Sequence, residues 1–178
     1  MFHKLMDFWF EEIDPALWWK KDDNFDALLL KRFSETHARA CRCELYGWRD
    51  YPEGRLAEII VLDQFSRNLF RGSALAFAND AMALALSQEA VARREDLALT
   101  PVQRVFLYMP YMHSESLLIH EVAVELFRNT GKLDNLEFEY RHKAIIEQFG
   151  RYPHRNEALG RESTAEEIEF LSRPGSSF

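Results

Sequence analysis

Residues that could do chemistry concentrate in the stretch "QFGRYPHRNEALGR", residues 148–161. It carries Arg151, His154, Arg155 and Arg161 against one acid, Glu157, in a chain of net charge −7. Its Gly and Pro content rules out a long helix. A guanidinium binds a carboxylate or phosphate through a planar two-pronged fork, and an imidazole titrates near neutral pH. Cation gathered in one loop of an acidic chain suits a small anionic ligand or an internal ion network. It argues against an extended nucleic-acid surface, which needs basic residues along a whole face.

A second set of polar groups falls on apolar helix faces. In a helix over 53–70, Leu56, Ile59, Ile60 and Phe70 form one arc, and Asp63 and Arg67 sit in its middle, four apart. A buried carboxylate must be paired, and Arg67 is the local partner. That reads either as a satisfied ion pair or as one wall of a polar pocket. In a helix over 112–130, His113 and His120 share the arc of Leu117, Val124 and Phe127. Glu115 falls on nearly the opposite side from His113, so "HSE" (113–115) is no one-face chelate while helical. If the segment after Pro110 is irregular, Ser114 and its neighbours offer backbone N–H groups to an anion. In a helix over 135–149, His142 is ringed by Phe138, Ile145, Ile146 and Phe149. One such histidine is ordinary. Three, with an Asp–Arg pair and a basic loop, favour a shared polar cavity.

The elements that must position these groups are helices. Gly and Pro total 13 in 178 residues and fall at boundaries. Periodicity places helices near 3–12, 24–46, 53–70, 74–94, 101–109, 112–130, 135–149 and 164–172. Thr100-Pro101 is a helix start, Gly131 and Gly150 are helix stops, and "STAEE" (163–167) offers a capping box from Ser163–Glu166 or Thr164–Glu167. Short connections predict an all-α, compact stack of antiparallel hairpins, about eight helices in one domain. Residues 150–178 close over that stack. The Ala-rich run 74–92 suits close helix packing, and one of Trp18 and Trp19 packs on the core beside a solvated "KKDD".

The motifs "LDQFSRNLFRG" (62–72), "YMPYMHSES" (108–116), "HKAIIEQFGRYPHRNEALGR" (142–161) and "STAEEIEFLSRPGSSF" (163–178), with "FWF" (8–10), run nearly end to end. In this order they resemble a bacterial family known as a domain of unknown function, number nine-twenty-four. The resemblance implies a tetratricopeptide-like helical fold and leaves the activity open. It carries over Asp63, Gln64, Arg67, Asn68, His113, Ser114, Glu115, His142, Arg151, His154, Arg155, Asn156 and Arg161. Three positions depart from the family pattern: Ser66 for Pro, Tyr152 for Phe and His120 for Gln. The last weakens any scheme that needs His120 as a ligand.

Three functional classes follow. In the first, a small anionic ligand sits among Asp63, Gln64, Arg67, Asn68, Ser114, Glu115, Arg151, His154, Arg155, Asn156 and Arg161, with His113 or His142 as acid or base. In the second, the helical stack is a protein- or peptide-binding module whose motif residues form a structural ion network. The third, a metal enzyme on His113, Glu115, His142 and His154, lacks any HExxH-like chelate, so no metal and no cofactor is expected. No Gly-rich phosphate loop and no GxSxG elbow is present. Ser114 between His113 and Glu115 does not make a triad, since triads assemble from separate segments. No leader and no membrane span is read, so the expected location is the cytoplasm. Cys41 and Cys43 are read as reduced thiols.

Overall fold

The computed structural model describes residues 2–176; the last two residues of the "STAEEIEFLSRPGSSF" stretch lie outside the described residues. Eight helices and no strand occur among the described residues. Helix α1 (Phe2–Asp7) opens into a wider π turn, Phe8–Glu12. Helix α2 (Asp23–Cys41) starts under Asp22, whose carboxylate accepts from the N–H groups of Asn24 and Phe25. Helix α3 has three parts: Pro52–Ile60, a π turn at Val61–Phe65, and Ser66–Leu69. Then come α4 (Asp80–Ala92), α5 (Pro101–Met112), α6 (Leu117–Arg128), α7 (Leu133–Phe149) and α8 (Ala165–Leu171).

The local signals act as expected at most ends. Thr100 and Gln103 close a capping box ahead of Pro101. Of the two boxes in "STAEE", Thr164 with Glu167 forms. Gly150 ends α7 in the left-handed region at φ +67°.

Several boundaries differ, among them the end of the helix expected over 24–46, which stops at Cys41. The helix expected over 112–130 begins only at Leu117, because α5 runs on through Pro110 and closes at Met112. Pro110 lacks an N–H, yet the turn after it still forms, with the His113 N–H donating to Met109 O at 2.9 Å. Residues 113–116 are therefore a linker, and His113 does not share a helix face with His120. The Ala-rich run is likewise helical only from Asp80, after a short turn capped by Ser73.

Helix α3 is the centre of the molecule. Leu56, Ala57, Ile59, Ile60, Val61, Leu62 and Phe65 retain no exposed surface, and α1, α4 and α5 pack around them. A cluster of rings flanks α3: Trp9 meets Phe65 at 5.4 Å and Phe106 at 5.6 Å between centroids. Trp18 joins it, its Nε1–H donating to Trp9 O at 3.0 Å, while Trp19 stays exposed and stacks on Phe106. Because α3 is enclosed, any polar group on it is forced to find protein partners. That is what builds the site.

The first turn of α3 presses on the preceding loop. A Cβ at Gly54 would lie 2.1 Å from the carbonyl oxygen of Trp48. We expect Gly54→Ala to destabilise the fold by about 1–3 kcal/mol or more, as a lowered midpoint in urea denaturation, since a backbone carbonyl cannot move aside cheaply.

Candidate functional site

The π turn of α3 carries Asp63 and Gln64, both buried. Such turns recur at functional sites because they re-aim side chains within a helix. Asp63 is 1% exposed. Its Oδ1 receives His113 Nδ1 at 2.7 Å and its Oδ2 receives Gln64 Nε2 at 2.6 Å, while Arg67 Nη1 stands 2.9 Å from Oδ1 as an ion pair and donates to the Asp63 carbonyl at 3.0 Å. Burial alone would raise the Asp63 carboxyl. Arg67, His113 and Gln64 outweigh it and hold the group well below the usual carboxylate range. An ionised carboxylate only accepts, so the proton lies on His113 Nδ1. The second ring nitrogen of His113, Nε2, then carries the lone pair. The His113 side chain is 13% exposed, and Nε2 has no hydrogen-bond partner among the described residues. Burial and the Arg67 charge push His113 below the ordinary imidazole value against the pull of Asp63, so the ring is neutral near pH 7.

Arg67 is shared. Its two terminal nitrogens reach the two oxygens of Asp80 at 2.9 Å each. Asp80 also receives Arg155 Nη1 at 3.3 Å. Arg155 in turn donates through Nη2 to the His113 carbonyl at 2.9 Å, and its guanidinium lies between the rings of Phe77 (4.7 Å) and Tyr152 (4.5 Å). This inner cluster therefore joins Asp63, Gln64, Arg67, Asp80, His113 and Arg155.

The rest of the basic loop does something else. Arg161 grips Glu115 with two bonds of 2.7 and 2.9 Å, and the Tyr152 N–H donates to Glu115 at 2.7 Å. Arg151 grips Glu167 at 2.6 and 2.8 Å, and Asn156 donates to Glu167 at 3.2 Å while accepting from Arg161 at 2.9 Å. These five side chains and the Tyr152 N–H clamp the C-terminal segment onto the linker between α5 and α6. The expectation that Arg151, His154, Arg155 and Arg161 all face one cavity is thus corrected for two of them: Arg151 and Arg161 belong to the clamp, while Arg155 reaches the inner cluster. Asp80 and Glu167 supply two further carboxylates to these cations.

Three successive carbonyls at the start of the linker are held by side chains. Tyr152 O–H donates to Met112 O at 2.5 Å, Arg155 takes His113 O, and His120 Nε2–H takes Ser114 O at 2.8 Å. His120 is fully buried, and its Nδ1 lies 2.7 Å from Glu139 Oε1, with one proton between them. Burial raises the Glu139 carboxyl. His142 and His154 flank Tyr152, with ring centroids at 5.8 and 5.4 Å. The His142 Nδ1–H donates to Phe138 O at 2.7 Å, and burial pushes its pKa down to about 3. His154 is pushed down to about 4, by burial first and then by Arg155.

Two expected site residues lie apart. Asn68 donates to Asp26 at 2.7 Å and, with Arg71, ties α3 to α2. The Ser114 hydroxyl accepts from Ser116 N at 3.2 Å and has no other partner among the described residues. Among the described residues no group of three or more His, Cys, Asp or Glu is placed to hold a metal ion. Asp80 and Phe77 escaped the sequence reading, and Glu139, which its spacing with Lys143 and Glu147 assigns to a solvated helix face, is instead fully buried against His120. Asp80 opens a helix, where an acid is ordinary, and nothing local marks its partners.

Removing one side of the inner cluster strands the other. Asp63→Ala should cost about 3–5 kcal/mol in denaturant unfolding, because Arg67 and His113 lose a buried counter-charge. The neutral buried histidines set a pH dependence. Unfolded imidazoles bind protons below about pH 6.5, whereas His142 in the fold does so only near 3 and His154 near 4. Stability is therefore full above pH 6.5 and falls on acidification, by up to about 1.4 kcal/mol per pH unit for each. Asp63, Glu115 and Glu167, whose values are lowered, add to the loss below about pH 4.5. Urea titrations at pH 7.5, 6 and 5 check this. A flat profile across that range contradicts the buried neutral state.

Known proteins resemble the chain in sequence and fold. No curated protein matches the chain. A solved structure, described as a protein of unknown function, ATU0120 from Agrobacterium tumefaciens, is 40% identical. The match covers 96% of each chain with a TM-score of 0.90. A family model described as "Bacterial protein of unknown function (DUF924)" matches residues 5–175, and the chain belongs to that family.

Proposed function

We propose that the inner cluster binds a small anionic metabolite, through a carboxylate or phosphate, and that His113 accepts a proton from it or from a water beside it. The observation that carries this reading is the Asp63–His113 pair. A buried, ionised carboxylate fixes the Nδ1–H tautomer and points the basic Nε2 away from itself. That is the arrangement a general base needs near neutral pH. Arg155 supports the ligand class. It is 6% exposed, and its Nε–H has no protein partner among the described residues. An anionic oxygen would satisfy that donor. His142 stays neutral at pH 7, with its Nδ1–H committed to Phe138 O.

A second reading, that the motif residues are a structural ion network, is favoured by one half of the loop. Arg151, Asn156 and Arg161 are each matched to Glu115 or Glu167. We assign those three, with Glu115, to the clamp. A peptide-binding module would carry its polar groups on an open groove, whereas Asp63, Gln64, Arg155 and Asn156 are buried. A cytoplasmic location and a tetratricopeptide-like order of helices belong to the same proposal. They are supported by the acidic balance, by the pairwise packing of α5 on α6 and α6 on α7, and by the described helices, none of which is long and apolar enough to cross a membrane.

Thermal melts with inorganic phosphate and with small dicarboxylates test the reading. A ligand at about 100 times its Kd adds about 2.7 kcal/mol, a rise of about 5–10 °C for a chain of this size. We expect such a rise for the wild type and its loss in Arg155→Lys and in His113→Gln. No shift with any phosphate- or carboxylate-bearing compound removes the ligand reading and leaves the ion network.

A further inference from the structure

A cleft of about 220 Å³ opens along the N-terminal half of α5, whereas the inner cluster lies beyond that helix's C-terminal end. Its apolar lining is a corner of three rings. Trp18 meets Phe106 at 5.0 Å and 77°, Trp19 lies nearly parallel to Phe106 at 5.7 Å and 11°, and the two indoles stand upright to each other at 86°. The corner is anchored, since Phe106 belongs to the core and Trp18 is tied to Trp9 O. Trp19 nevertheless leaves 57% of its surface in solvent, a large apolar area still open to burial. The start of α7 supplies the polar lining: Lys132, Asp134 and Asn135. None of these three side chains has a hydrogen-bond or ion-pair partner among the described residues. Lys132 and Asp134 carry opposite charges two positions apart, yet they do not pair with each other.

We propose that this cleft is a second binding site, for a free aromatic α-amino acid. Size sets the first limit. The volume holds about seven waters, at about 30 Å³ each, so it takes one ring with a short polar end and not a molecule of drug size. Charge sets the second. The polar lining sums to zero but presents its two charges separately. A simple anion would face Asp134, a simple cation would face Lys132, and an uncharged ring would leave both unused. A zwitterion answers both: its carboxylate takes Lys132, its ammonium takes Asp134, and Asn135 can donate to the one or accept from the other. The side-chain ring then covers the open part of Trp19. Exposed charge pairs contribute little each, so the ring supplies most of the affinity and the charges supply the choice of ligand. The proposal does not depend on the ligand reading of the inner cluster, which shares no residue with this cleft.

The test is isothermal titration of the full chain at pH 7 with L-phenylalanine, with 2-phenylethanol (the ring without the charges) and with glycine (the charges without the ring). L-phenylalanine should saturate with a Kd of about 0.1–1 mM, and each control should bind at least about fivefold more weakly. Trp19→Ala should weaken L-phenylalanine by at least about tenfold, and Asp134→Asn by about fivefold. Trp19 and Asp134 are both exposed, so both variants should keep the wild-type melting curve. No saturable heat with L-phenylalanine up to about 10 mM overturns the proposal. So does equal binding of 2-phenylethanol, and that comparison needs no variant to fold. Affinity unchanged in a folded Trp19→Ala places the amino acid elsewhere on the chain and overturns it as well.

Discussion

The structure turns on one carboxylate taken out of water. Asp63 sits on the most enclosed helix, and an ionised group there is tolerable only with counter-charge and hydrogen bonds on every oxygen. Each partner it recruits needs a partner of its own. Arg67 answers Asp63 as an ion pair, and its two-pronged fork is filled by Asp80. Asp80 has spare acceptor capacity, which draws Arg155 inward from the C-terminal loop. Arg155 then reaches the His113 carbonyl, while the His113 ring closes back on Asp63. The ring of obligations passes through α3, α4, the linker after α5 and the basic loop.

The linker matters because two helices are interrupted there. Helix α5 ends at Met112 and α6 starts at Leu117, so the carbonyls of 112–114 have no helical partners. Side chains supply them instead: Tyr152, Arg155 and His120, two from the basic loop and one from α6. A cation at the C-terminal end of α5 also complements the helix dipole. The loop that looked like a ligand grip is thus first a brace. Its Arg161–Glu115 and Arg151–Glu167 pairs lock the terminal segment in place. Bracing and binding are compatible: a base on a linker is useful only if the linker is rigid.

Much of the fold was legible because helix signals are local. Apolar periodicity, the Thr100-Pro101 start and the Gly150 stop need only neighbouring residues. The break at 113–116 was not legible. Pro110 marks a disturbance but does not say which side of it the helix ends on. Of the site, Asp63 and Arg67 could be paired from sequence because four residues on a helix is contact distance. His113 was found for an incorrect reason, as part of a face it does not share with His120.

The sequence by itself determined that the chain is helical, where most helices start, that a charged pair is buried on the central one, and that guanidiniums crowd one loop. Tertiary structure alone decided who meets whom. Arg155 finds Asp80 across 75 residues, Arg161 finds Glu115 across 46, and Arg151 finds Glu167 across 16. Side-chain type fixes what a group can bind, and periodicity fixes the face it lies on. Which opposite charge arrives within about 3 Å depends on how whole helices pack, and helix packing is set by the summed apolar surface rather than by the ions themselves.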